Sequence, residues 1–156
     1  MSGSLILRRD LLASSGMAAL GALLSSREAR AADLSPQEAA NLKTVTSFLA
    51  AWSTRDLEQV TAHMTADAVY RMTETTPPIA GAAALIAQMQ PWVDTSSAIE
   101  FRVLETFVKG PMVINHRIDH FSSATRPLTW EGVGVFFLKD GKIKEWSDYS
   151  IGVKRE

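Results

Sequence analysis

Arg117-Ile118-Asp119 sets an arginine and an aspartate two residues apart inside a largely apolar stretch, Met112 to Phe121. In an extended strand residues two apart share a face. Val113, Asn115, Arg117, Asp119 and Phe121 then line up together, while Ile114, His116, Ile118 and His120 take the other side. Ionised side chains are seldom buried unless paired. Two readings of the pair stand: a surface ion pair on a solvent-facing strand, or a charged pair turned into an apolar site. A second carboxylate favours the site. Asp148 stands among aromatics in Trp146-Ser147-Asp148-Tyr149, in phase with Trp146. Asp148 near Lys144 and Arg117 also fits a structural ion pair.

One arginine between two aspartates is electrically neutral when one carboxyl keeps its proton. Burial raises a carboxyl pKa by roughly 3–5 units, and an adjacent cation lowers it by about 1–3. Two carboxyls sharing an apolar site also push their pKa values apart, which yields an acid and a base side by side. Such a pair titrates as a unit. Other chemistries are excluded. With no cysteine there is no disulfide, thiol nucleophile or thiolate metal site. No G-x-S-x-G and no phosphate-binding glycine loop occurs. His116 and His120 lie opposite in phase to Asp119 and read, like His63, as surface or satisfied histidines. No metal and no cofactor is expected.

The elements that must hold these residues follow from periodicity. Ser35-Pro36-Gln37-Glu38 opens a helix with a capping box and Pro at the first position. Leu42, Val45, Phe48, Leu49 and Trp52 form its apolar stripe. A short helix runs from about Asp56 to Met64, capped by Thr54 or Asp56. Thr65 to Ala68 is a turn into a short strand, Val69 to Met72. Thr75-Thr76-Pro77-Pro78 is a loop. A third helix follows Gly81 and ends before Pro91. Strands are expected over Ala98–Lys109, Met112–Phe121, Thr129–Leu138 and Lys142 to about Ser150. Gly132 and Gly134 allow a bend or the close approach of a ligand, and Asp140-Gly141 makes a hairpin turn. The tail from Val153 is frayed. Helices first and antiparallel strands later argue an α+β fold, with helices on one face of a curved sheet.

Residues 1–31 read as a leader. Arg8-Arg9 precedes an apolar run from Leu11 to about Leu24, and Ala29-Arg30-Ala31 closes it as a small-residue cleavage site. The run is short of the ~20 residues that span a bilayer. The expectation is twin-arginine export to the periplasm, cleavage near Ala31, and one domain over residues 32–156 with no stable membrane insertion after processing. Removing Arg8, Arg9, Arg27 and Arg30 together with Asp10 and Glu28 takes the formal charge from −1 to −3. A mildly acidic domain without a basic run gives no footing for nucleic acid or an anionic membrane.

The order helix, helix, Tyr-bearing strand, Pro-rich loop, helix, R-x-D strand, then D-G-K-I and W-x-D-Y resembles the limonene-1,2-epoxide hydrolase family. That family sits in the SnoaL-like, NTF2-like superfamily, which also holds ketosteroid isomerase. The resemblance spans about Leu42 to Tyr149. It implies a cone-shaped α+β fold with a curved mixed sheet, and a homodimer. It further implies one-step, cofactor-free attack of water on a small apolar epoxide to give a vicinal diol. Asp119 matches the general acid, Asp148 the base that deprotonates water, Arg117 the bridge between them and Tyr70 the tyrosine that helps hold the water. The family's water is also held by an asparagine two residues after that tyrosine. Here Met72, which offers no useful donor or acceptor, takes that position. Met72, Trp130, Phe136 and Trp146 are the expected pocket lining. An isomerase or cyclase, or a non-catalytic small-molecule binder, are the other functions this cone allows.

Overall fold

The structure, a computed structural model, describes residues 34–155. The expected leader and its expected cleavage site lie outside them. The first helix, α1 (Pro36–Ala51), starts as expected. Ser35 Oγ accepts from the Glu38 amide, and Glu38 reaches back to the Ser35 amide. Glu38 also accepts from the amide of Gly110 at 2.8 Å, while Asn41 donates to the Gly110 carbonyl at 2.9 Å. The helix start is thereby tied to a distant hairpin. A 3-10 turn (Trp52–Thr54) ends this helix, and α2 (Leu57–Thr61) follows with Asp56 as its cap.

The strand β1 (Met64–Arg71) begins where a helix end and a turn were expected. It runs parallel to β6 (Lys142–Arg155), with Met64 opposite Ile143 and Val69 opposite Glu145. Five residues on β1 thus span two on β6. The polar bulge around Thr65 and Asp67 is what broke the alternation and mimicked a turn. A two-residue strand, β2 (Ile79–Ala80), pairs with β1. The third helix, α3 (Ala82–Thr95), runs through Pro91 instead of ending before it. The ring deletes one helical hydrogen bond, but Val93 beyond it is buried and Trp92 meets Phe121 edge-on. Packing therefore outweighs the broken rung.

The remaining strands are β3 (Ala98–Lys109), β4 (Met112–Ser122) and β5 (Leu128–Lys139). Asp140 and Gly141 both take positive φ, 51° and 76°, in the β5–β6 hairpin, as the twist of such two-residue turns requires. The last strand continues through Arg155, which pairs with Leu128, so the tail is ordered as strand and not frayed. Strand order is β2-β1-β6-β5-β4-β3, antiparallel except for β1 with β6. The result is a mixed, curved, open sheet with the N-terminal helices on one face, the α+β architecture expected.

The core lies between α1 and the sheet's inner face. Phe48 meets Phe136 and Trp146 edge-on, and Phe136 stacks on Trp146. Val45, Val113 and Ile143 close the same end. Each fully buried side chain of this size stabilises the fold by about 1.5–3 kcal/mol. Toward the other end of β4 and β5 the inner face opens into a cavity.

Candidate active site

Alternation along β4 turns Asn115, Arg117 and Asp119 inward, and the same phase on β6 turns Trp146 and Asp148 inward. The strand register explains how they meet. Asn115, Gly134 and Asp148 lie side by side on β4, β5 and β6. With no side chain at Gly134, the row has a slot in its middle, and the guanidinium of Arg117 occupies it. A Cβ at Gly134 would overlap Arg117 Nη1. Likewise a Cβ at Gly132 would overlap the ring of Trp130. The two glycines make room for the protein's own side chains and not directly for a ligand.

From that slot Arg117 reaches both carboxylates. Its Nε donates to Asp119 Oδ1 and Oδ2 at 3.0 and 3.1 Å, and its Nη2 to Asp148 Oδ1 at 2.8 Å. Its Nη1 donates to Asn115 Oδ1 at 3.1 Å. Residue exposure is 0 % for Arg117, 4 % for Asp119 and 6 % for Asp148, so the solvent-facing reading of this strand face is excluded. The guanidinium carbon also lies 4.9, 5.4 and 5.7 Å from the ring centres of Trp130, Phe101 and Trp146, an aromatic cage that favours the cation. Lys144 does not enter the site and pairs with Asp67 instead.

The two carboxylates differ in their donors. Asp148 accepts from three groups: Arg117, Trp146 Nε1 at 2.8 Å and the Tyr70 hydroxyl at 3.2 Å. Among the described residues Asp119 accepts only from Arg117 Nε. Donors to a carboxylate favour its ionised form, so Asp148 is the better anion and Asp119 the better acid. Burial raises the Asp119 carboxyl to about 7 despite Arg117, with Asp148 adding to the rise. Burial also raises Asp148, opposed by Arg117, Trp146 and Tyr70. Burial pulls the Arg117 pKa down, but the two carboxylates more than offset it and the guanidinium stays charged. The Tyr70 hydroxyl is pushed well above its ordinary range by burial and by Asp148, and remains protonated.

Asp119 and Asp148 lie at the wall of a cavity of about 240 Å³. Met72, Trp130 and Trp146 of the expected lining border it, as does Tyr70. Phe136 does not. It faces inward on the same strand as Trp130, but six residues further along, about 20 Å at strand rise, where it is sealed in the core beneath Trp146. Trp52, Thr73, Met89, Trp92, Phe101, Phe121, Leu128 and Ser150 complete the lining; the sequence puts Trp52 on a helix stripe and Phe121 on the inner strand face without assigning either to a pocket. Phe121 shares the phase of Asp119, and that phase is its signal; Phe101 reaches the same face because β3 sets it opposite Asp119. Thr73 spends its hydroxyl within its own loop, accepting from the amides of Thr75 and Thr76. Glu74 accepts from the Ser150 amide at 2.8 Å. His116 and His120 face away, against Glu131 and Thr129.

A SnoaL-like domain model matches residues 45–146, most of the described fold. The chain belongs to the SnoaL-like family. No curated protein matches it at the sequence level. Among solved structures, it resembles an LEH-like epoxide hydrolase from M. tuberculosis with 26 % identity and a TM-score of 0.63, covering 74 % of this chain and 85 % of that one. A candidate SnoaL-like polyketide cyclase from Jannaschia sp. CCS1 superposes with a TM-score of 0.65 at 19 % identity, covering 76 % and 90 %. A computationally designed 17-OHP binder superposes at 0.67 with 16 % identity, covering 75 % and 96 %. At these identities the last two share the fold alone with this SnoaL-like chain.

Proposed function

We propose that this SnoaL-like protein is a cofactor-independent epoxide hydrolase acting on a small, apolar epoxide. The observation that carries the reading is the unequal pair of carboxyls bridged by Arg117 at the wall of an aromatic cavity. Asp119, with one donor, holds its proton toward the cavity and gives it to the epoxide oxygen as the carbon–oxygen bond breaks. Asp148, whose three donors oppose the effect of its burial, takes in its ionised form a proton from the water whose oxygen attacks that carbon. The product is a vicinal diol, and the proton then passes from Asp148 back to Asp119. Arg117 keeps its charge throughout and stabilises whichever carboxyl is the anion. Tyr70, hydrogen-bonded to Asp148 Oδ2, stands where it can hold the attacking water. Met72 contributes no polar group and Thr73 is engaged in its loop, so Tyr70 and Asp148 carry the placement of that water. The likeness to the M. tuberculosis epoxide hydrolase supports the assignment.

The test is incubation with limonene-1,2-epoxide and styrene oxide in oxygen-18 water, followed by mass spectrometry of the diol. One labelled oxygen in a single turnover supports direct attack by water. No diol above background, from folded protein that still binds the compounds, sinks the hydrolase reading. Met72 on the cavity wall favours one second reading, that the cone binds a small apolar molecule without converting it or serves as an isomerase or cyclase. Binding without diol formation is its signature.

Two further assignments belong to the same proposal. Export through the twin-arginine route delivers residues 32–156 to the periplasm, which N-terminal sequencing of the periplasmic protein checks. Two copies pair through the sheet's outer face, where Leu104, Phe107, Phe137 and Tyr149 are exposed. Light scattering of wild type and Phe107→Glu checks the dimer, which the charged variant is expected to weaken.

A further inference from the structure

Asn115 is buried and polar, and the proposed reaction gives it no task. It faces Asp148 across the Gly134 slot in one row of the sheet. Arg117 spans the slot, with Nη2 on Asp148 at 2.8 Å and Nη1 on Asn115 at 3.1 Å. A guanidinium presents its donors in one plane, so acceptors on both sides of the slot, together with Asp119 on Nε, fix that plane at three points. We propose that Asn115 is a positioning residue, a neutral third anchor that holds the Arg117 guanidinium flat between the two carboxyls without adding a third negative charge.

Neutrality is the essential property. An aspartate is nearly isosteric and would accept the same hydrogen bond. It would, however, place three carboxyls around one cation. The titratable groups facing the guanidinium are Asp119 on β4, Asp148 on β6 and Tyr70 on β1. The neighbouring strands β3 and β5 present Phe101, Trp130 and Gly134, which carry no charge. Among the described residues a new anion there has no cation but Arg117 to answer it, and like charge raises the pKa of neighbouring carboxyls.

This inference deepens the proposed reaction and rests on it for the kinetic readout, so the test carries a readout that needs no turnover. In Asn115→Asp, the carboxyl carbon-13 titration of Asp119 is expected to move up by about one unit. The pH–rate profile for diol formation moves in the same direction, because the base ionises and the acid deprotonates at higher pH. In Asn115→Ala, wild-type-like slow-exchange Nη signals of Arg117 are expected to collapse as rotation of the guanidinium is freed. The value of kcat falls about tenfold with KM within twofold. An Asp119 titration unmoved in Asn115→Asp, or separate Nη signals retained in Asn115→Ala, overturns the proposal and leaves Asn115 a packing residue. If one variant fails to fold, the other still decides. If wild type forms no diol, the hydrolase reading falls while the two magnetic-resonance readouts still judge Asn115.

Discussion

The two faces of β4 invert the usual rule of apolar inside and polar outside. The inner face carries Asn115, Arg117 and Asp119, and all three are buried. The outer face carries Ile114, His116 and Ile118 and is half-exposed. Around it Phe107 and Tyr149 are exposed to 53 % and 48 %. The inner charges survive burial because each has a partner of opposite sign or a hydrogen-bond acceptor at 3.1 Å or less. The outer face is exposed because the helices pack on the other side. An inward-facing ionic row therefore marks the candidate site here better than any stretch of hydrophobicity, and the exposed apolar row lies on the face proposed for pairing.

The contrast breaks most visibly at Arg117. Arg117→Met leaves two buried carboxyls without a cation and is expected to lose about 3–5 kcal/mol of stability, measured by urea unfolding. A loss under about 1 kcal/mol is what a surface pair gives, and would make the two faces equivalent. Asp148→Asn should lower kcat for diol formation by about 10³-fold while circular dichroism stays native. A fully active variant would remove Asp148 as base.

Acid–base linkage sharpens the comparison next. The Asp119 carboxyl titrates near 7 in the fold against an ordinary 3.8. Between those values the native state holds a proton that the unfolded chain has released, so stability falls as pH rises through this window. The effect is on the order of a few kcal/mol. Urea midpoints at pH 4.5 and 7.5, compared between wild type and Asp119→Asn, should show the slope in wild type and its reduction in the variant. Diol formation should likewise decline above pH ~7 as the acid loses its proton. The smallest effect belongs to the outer face. Glu131→Gln removes the charge from the 3.0 Å contact with His116 and should cost under about 1 kcal/mol with unchanged kcat.

Strand alternation made the site legible. Once Met112 to Phe121 is a strand, Arg117 and Asp119 must share a face, and Trp146 fixes the phase of Asp148 in the same way. The helix cap at Ser35 and the Asp140-Gly141 turn were equally readable, because they depend on local geometry alone. Depth along a strand was not readable. Trp130 and Phe136 share a face of β5, yet one lines the cavity and the other is sealed in the core. The parallel pairing of β1 with β6 was hidden by the bulge after Met64, and the helix through Pro91 by a tertiary contact of Trp92. The role of Asn115 was hidden because it depends on Gly134, nineteen positions away and adjacent only through register.

The parallel pairing of β1 with β6 has a kinetic consequence. Tyr70 and Asp148 meet across 78 positions of sequence, and β1 has only the two-residue β2 beside it until β6 arrives. During synthesis β3, β4 and β5 can pair as a meander while β1 waits. Contacts of such separation form late and slow the folding of a domain. Asp119, Arg117 and the slot at Gly134 are thus in place before Asp148 and Tyr70 join them. A released chain truncated after Lys139 should protect the amides of β4 from hydrogen exchange while leaving those of β1 open. The row that joins Asp119, Arg117 and Asp148 is completed in the last folding step.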